Sequence, residues 1–203
     1  MYQGVRIDYS GADVTPEKFM AVMTGDAETA GGRVLKTDLS SRVFVNFSDH
    51  GGVGLIAFPS AYLFADQLQN TIDIMREKEM YGEMVFYIEA CESGSMFPFL
   101  TDDMNVYAVT ASNASLSSWA AYCSPEDTVD GVSIGSCLGD EFSVNWMEDT
   151  ESSNPYYETL KTQTTTVTER TLGSPVQHFG DVDFVDETIA MWEGGSDGYE
   201  NLI

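Results

Sequence analysis

A thiol, an imidazole and unobstructed backbone N–H donors are the parts of an acyl-transfer site, and this chain sets them at two places that look alike. Cys91 stands in "FYIEACESGSM", where an apolar run stops, with Glu89 and Glu92 beside it and Ser-Gly-Ser close behind. His50 stands in "NFSDHGG", again where an apolar run stops, next to Gly51 and Gly52. A thiolate attacks a carbonyl, an imidazole manages the protons, and N–H groups hold the developing oxyanion. Gly51 presents its N–H with no side chain in the way. Taken singly, a cysteine reads as a small buried hydrophobe and a turn histidine as a surface residue. The occurrence of both at matching strand ends favours chemistry. The other histidine, His178 in "VQHFGD", has no such setting and reads as structural.

The elements that must position these residues follow from apolar periodicity. Val43 to Phe47 and "EMVFYIEA" are buried-type strands that end at His50 and at Cys91. Between them "VGLIAFP" predicts a short strand, and "AYLFADQLQNTIDIMREKEM" a helix with a stripe of Leu63, Phe64, Leu68, Ile72 and Met75. "NVYAVTAS" is a third core strand. "VTPEKFMAVMTGD" predicts a helix capped by Thr15, with Pro16 at its first position and Gly25 near its stop. "CLGDEFSVNWMEDT" and "YYETLKTQTTTVTER" predict further helices, and "PVQHFGD" a late strand. Strands alternating with helices give an α/β fold, a mostly parallel sheet with helices on both faces. Sites in such sheets form at the carboxyl ends of strands, where both "SDHGG" and "EACESGS" fall.

Composition narrows the partners. The chain has 203 residues, 43% of them hydrophobic and 12% aromatic, enough for one globular domain with a real core. Its 33 acids against 9 Lys and Arg give a net charge of −24. That excludes nucleic acid and anionic membrane as expected partners, since both need a basic face. The charge suits an acidic compartment as well as it suits a soluble cytosolic protein. No run approaches the ~18 apolar residues of a membrane span. "MYQGVRIDYS" lacks the apolar centre of a signal peptide.

The two motifs "YIEACESGSM" and "SDHGG" resemble the catalytic motifs of the legumain family, the asparaginyl endopeptidases also called vacuolar processing enzymes. "DYSGADVTPEKFMAVMTGDAE", "NVYAVTASNASLSSWAAYC" and "CLGDEFSVNWMEDT" resemble that family in order and spacing. The likeness covers nearly the whole chain and weakens after about Pro155. The GPI transamidase subunit and the caspases, more distant relatives, keep the His-Gly and Cys elements without this surround.

The resemblance implies a caspase-like fold and peptide hydrolysis after asparagine, less readily after aspartate, with no metal and no cofactor. It implies Cys91 as nucleophile, His50 as proton carrier, and the N–H groups of Gly51 and Cys91 as oxyanion donors. It assigns Glu89 and Asp140 to the pocket as acceptors for the substrate carboxamide, and Ser118 and Trp119 to the segment that lines the pocket and pairs with substrate backbone. Asp49 matches a family position of succinimide formation. Cys123 and Cys137 match a plant-type disulfide, which leaves Cys91 as the free thiol and implies a secretory, lysosomal or vacuolar route. Without the family, Glu89, Asp140 and Asp49 read as ordinary strand-end, helix-start and loop acids, Trp119 as local packing, and the paired cysteines as two free thiols.

Family catalytic domains begin with a strand, a helix and a strand ahead of the part matching "MYQGVRIDYSG". The expectation is therefore a partial catalytic domain over 1–193, followed by a tail over 194–203. It lacks the arginine that family members place between the pocket acids, and the helical prodomain that caps the site in the zymogen. The expected partners are peptides or proteins with exposed asparagine. A non-catalytic homologue that only binds such peptides is the rival reading. A GPI transamidase-like subunit is the other, and it would need a membrane anchor that no run of this sequence supplies.

Overall fold

The structure is a computed structural model that describes residues 5–193. The chain opens with α1 (Pro16–Met23), where the Thr15 hydroxyl accepts the Lys18 N–H and Pro16 occupies the first turn. The short α2 (Ala27–Ala30) follows, stopped by Gly31 in the left-handed region. Strand β1 (Arg42–Ser48) then runs towards His50.

After His50 the chain does not return at once to the main sheet. Strands β2 (Gly51–Gly52), β3 (Leu55–Phe58) and β4 (Ala61–Phe64) form a separate antiparallel sheet. The strand expected from "VGLIAFP" joins this small sheet, because a two-residue connection to β4 permits only an antiparallel partner. Leu63 and Phe64 belong to β4, so the helix is shorter: α3 spans Ala65–Glu77 and starts where Gln67 Oε1 accepts the Phe64 N–H. Leu68, Ile72 and Met75 remain its buried stripe.

Strand β5 (Glu83–Glu89) runs beside β1 in parallel register, Ser48 opposite Glu89, and ends at Cys91. Strand β6 (Val106–Thr110) continues the parallel sheet. The segment after it contains β7 (Ala120–Ala121), the hairpin β8 (Thr128–Val129) and β9 (Val132–Ser133), and β10 (Gly139–Asp140), which pairs with β7. Helices α4 (Glu141–Ser152) and α5 (Leu160–Arg170) follow, and β11 (Gln177–Gly180) closes the sheet antiparallel to β6.

The main sheet has the order β1-β5-β6-β11, with β1 at one edge among the described residues. Alternation in β5 decides the layers. Met84, Phe86 and Ile88 pack with Leu68, Ile72 and Met75 of α3, while Val85 and Tyr87 pack with Phe142 of α4 and Leu160 and Val167 of α5. The Tyr87 hydroxyl donates to Gln163 Oε1 at 2.6 Å, fastening the sheet to α5. The result is the expected α/β sandwich with helices on both faces and one antiparallel edge strand. Among the described residues no helix is long and apolar enough to cross a membrane. Residues 194–203, read from the sequence as a fraying tail, lie outside the described residues.

Candidate active site

Parallel pairing of β1 and β5 delivers His50 and Cys91 to the same end of the sheet. The two loops then touch directly. A Cβ built on Gly51 would lie 2.2 Å from the Cys91 carbonyl oxygen and 2.9 Å from Ala90 Cβ, so only glycine fits there. The Asp49 N–H donates to the Glu89 carbonyl at 3.2 Å, and Asp49 Oδ1 accepts the His50 N–H at 2.7 Å. His50 is exposed, and Cys91 is half-buried and carries the free thiol.

The turn that holds Cys91 is pinned on both sides by "ESGS". Glu92 adopts a left-handed φ of 51°, uncommon for a side chain with a Cβ and a mark of local strain next to the thiol. Ser93 is fully buried, and its hydroxyl accepts the Ser112 N–H at 3.1 Å, anchoring the turn to the end of β6. A Cβ on Gly94 would come within 2.9 Å of the Asn113 backbone. Ser95 faces the other way: its hydroxyl accepts the Gly54 N–H at 2.7 Å and donates to the Glu92 carbonyl at 2.6 Å. Ser95 thus ties the thiol turn to the glycine loop that follows His50. The sequence marks both serines only by their position just after a candidate nucleophile and gives no sign of these partners.

Beyond the thiol lie the acids. Glu89 is 2% exposed, and its Oε2 accepts the Ser143 N–H at 2.8 Å and the Ser143 hydroxyl at 3.0 Å, capping the start of α4 from a neighbouring strand. Its Oε1 is buried with no hydrogen-bond partner. Burial pushes the Glu89 carboxyl up to about 7, against the pull of the Ser143 bonds and with the help of Asp140 nearby. Asp140 is the residue before α4 and makes no side-chain cap. Burial raises its carboxyl, and the positive charge of His50 draws it back down. Asp140 therefore lies close enough to act on Glu89 and to feel His50.

Asp140 is brought there by the β7–β10 ribbon, in which it pairs with Ala120. The Cys123–Cys137 disulfide closes the base of the loop between those two strands. The same ribbon carries Ser118 and Trp119. Cys91 Sγ lies 3.9 Å from the Ser118 carbonyl and 4.0 Å from its hydroxyl, and Trp119 is 59% exposed. His178 sits apart, against the Tyr107 ring, in a cleft of about 680 Å³ between α5 and β11. That cleft shares no residue with the Cys91 region.

Comparison with known proteins identifies the family and the fold. The sequence profile of the peptidase C13 family matches residues 1–195. Legumain of Mus musculus is 44% identical over 198 residues, covering 96% of this chain and 44% of that protein. Legumain of Homo sapiens is 42% identical over 198 residues, with the same coverage of 96% and 44%. A vacuolar-processing enzyme of Citrus sinensis is 40% identical over 214 residues, covering 99% of this chain and 43% of that protein. The chain thus spans less than half the length of these relatives. Among solved structures, caspase-1 from Spodoptera frugiperda superposes with a TM-score of 0.56 at 12% identity, covering 83% of this chain and 70% of that one. At that identity the likeness bears on the fold, which is caspase-like.

Proposed function

The chain belongs to the peptidase C13 family, and from that premise we propose that it is a cysteine endopeptidase that cleaves after asparagine, and less readily after aspartate. The observation that carries the reading is the Glu89 carboxyl, buried beside Asp140 and two residues from Cys91, with Oε1 meeting no donor in hydrogen-bond geometry while the Ser118 hydroxyl lies near enough to pull on it. A buried acceptor without a donor costs about 1–3 kcal/mol. An asparagine side chain suits Glu89 in either state, since its NH₂ donates to the carboxylate and its carbonyl accepts from the carboxylic acid that prevails below about pH 7. An ionised aspartate would bring a further negative charge beside Asp140, and beside Glu89 wherever pH leaves it ionised. Cleavage after aspartate therefore requires protonation of the acids and belongs to low pH.

In this mechanism the Cys91 sulfur attacks the carbonyl carbon after asparagine, and the oxyanion rests on the N–H groups of Gly51 and Cys91. The C–N bond breaks as His50 delivers a proton to the leaving amine, giving a thioester. Water, or the amine of a second peptide, resolves the thioester and frees the thiol. Ser118 and Trp119 line the path of the substrate backbone. A succinimide at Asp49 would form by attack of the His50 backbone nitrogen on Asp49 Cγ, the nitrogen losing its proton and the carboxyl losing an oxygen as water, and the 2.7 Å contact between that nitrogen and Oδ1 supports the assignment. The relatives' vacuolar naming favours a lysosomal or vacuolar setting, with which the charge of −24 is compatible. The test is a set of peptides differing only in Asn, Asp or Gln before the scissile bond. Cleavage of the Asn peptide first, and of the Asp peptide only as pH falls, is the expected order.

A further inference from the structure

The wall outward from Cys91 is built by Trp119, and one residue outside the assigned site fixes it. Glu141 opens α4 next to Asp140. Its N–H donates to the Trp119 carbonyl at 2.8 Å. Its carboxylate reaches across to a different part of the chain, where Oε1 accepts the Leu172 N–H and Oε2 the Gly173 N–H, each at 2.9 Å. Gly173 in turn lies against the Trp119 ring: a Cβ there would sit 2.9 Å from Trp119 Cδ1 and 2.5 Å from Glu141 Oε2. Glu141, Trp119 and Gly173 thus form a closed triangle. Leu172 stands 86% exposed beside it.

The segment holding Leu172 and Gly173 is fastened at both ends without Glu141. The Asn145 amide donates to the Thr171 hydroxyl at 3.0 Å, and the Ser174 hydroxyl donates to the Ala111 carbonyl at 2.6 Å. Glu141 therefore does little for the attachment of the segment and sets the height at which its middle meets Trp119. Two charge-assisted hydrogen bonds to consecutive N–H groups are strong enough to set it.

We propose that Glu141 is a positioning residue for substrate recognition: it holds Leu172 and Gly173 against Trp119, and the three make one wall for the peptide residues that precede the scissile asparagine. Ser118, the neighbour of Trp119, already lies against Cys91 Sγ, so a peptide bound at the thiol must leave past this wall. The inference presupposes that Cys91 is the reactive thiol of an asparagine-directed site.

The experiment measures second-order alkylation of Cys91 by two chloromethyl ketones, one of blocked asparagine alone and one with three further residues before the asparagine. The parent protein should prefer the long reagent. Glu141→Ala should lower the long reagent's rate roughly tenfold and the short reagent's less than twofold, while amide exchange at Leu172 and Gly173 speeds up. Glu141→Gln, which retains one acceptor, should fall between. Gly173→Ala retains Glu141 in the chain yet crowds both its Oε2 and the Trp119 ring, and should reproduce the selective loss; it also serves if Glu141→Ala does not fold. Equal loss with both reagents, no loss with either, or a parent without preference for the long reagent would overturn the proposal. Peptide cleavage by the parent judges the asparagine reading separately. Preference for the long reagent with no cleavage would sink that reading and leave the wall standing.

Discussion

Gly51 and Cys91 are in backbone contact: the position of a Gly51 Cβ is 2.2 Å from the Cys91 carbonyl oxygen, too close for any side chain. Gly51→Ala must push the histidine loop and the thiol turn apart. Overpacking of this kind costs about 1–3 kcal/mol, and a misplacement near 1 Å costs about a hundredfold in rate. The expected outcome is a protein that still melts cooperatively but has lost about two orders of magnitude in kcat/KM. Retention of full activity would show that the contact does not set the relation between His50 and Cys91.

Ser95 is expected to act on rate and not on binding. Ser95→Ala removes the acceptor of the Gly54 N–H and the donor to the Glu92 carbonyl, while Glu89, Asp140 and Ser143 are untouched. Steady-state kinetics should show kcat falling roughly tenfold with KM nearly unchanged. A rise in KM at constant kcat would move Ser95 out of the thiol's support.

Glu89 should make the protein more stable in mild acid than at neutrality. Its folded value, about 7, lies above the ordinary 4.5, so the folded state holds a proton the unfolded state has released. The stabilisation is full below about 4.5 and disappears as pH rises through 7. Burial also raises Asp140, Asp149, Glu158 and Glu193, which act in the same direction. Asp26, Asp38, Asp103 and Asp127 are held low by hydrogen bonds, so their contribution is lost only below the usual carboxylate range. Melting temperature should therefore rise from pH 7 to pH 5 and fall again in stronger acid. Glu89→Gln should flatten the neutral limb. A melting temperature that drops steadily from pH 7 to pH 5 would contradict this.

The disulfide should matter to the site as well as to stability. Closing a loop with a separation of 14 residues is worth roughly 3 kcal/mol in the chain-entropy account. Intact-mass analysis of oxidised protein should count one reactive thiol, at Cys91. Cys123→Ser should loosen the ribbon that presents Trp119 and Asp140 and raise KM for asparagine peptides. Three reactive thiols in protein folded under oxidising conditions would refute the bridge.

Much of this was legible in the sequence because local rules and global fold agree there. The run from Met84 to Ile88 is apolar throughout, as a strand buried on both faces must be, so its end at Cys91 was easily placed. Thr15 and Pro16 mark a helix start by chemistry that needs no tertiary partner. Leu63 and Phe64 misled because they continue the helical stripe in register, while the glycines around Val53 and the two-residue turn at Pro59 impose a hairpin instead. Glu89 and Asp140 took meaning only from the family resemblance, since in isolation each is an unremarkable acid. The roles of Glu141 and Ser95 were not legible, although Ser95 stands out as part of the Ser-Gly-Ser behind Cys91. Their partners, Gly173 and Gly54, are distant in sequence, and a hydrogen bond to a remote backbone N–H leaves no periodic trace.

The central claim is that Cys91 and His50 are one catalytic pair. The direct measurement is hydrolysis of a quenched asparagine peptide by the parent protein, Cys91→Ala and His50→Ala, each checked for an unchanged melting transition. Alkylation mapping should accompany it. The account predicts cleavage by the parent at the asparagine bond, a loss of at least three orders of magnitude in either variant, and fastest alkylation at Cys91. Undiminished turnover in either variant would contradict it.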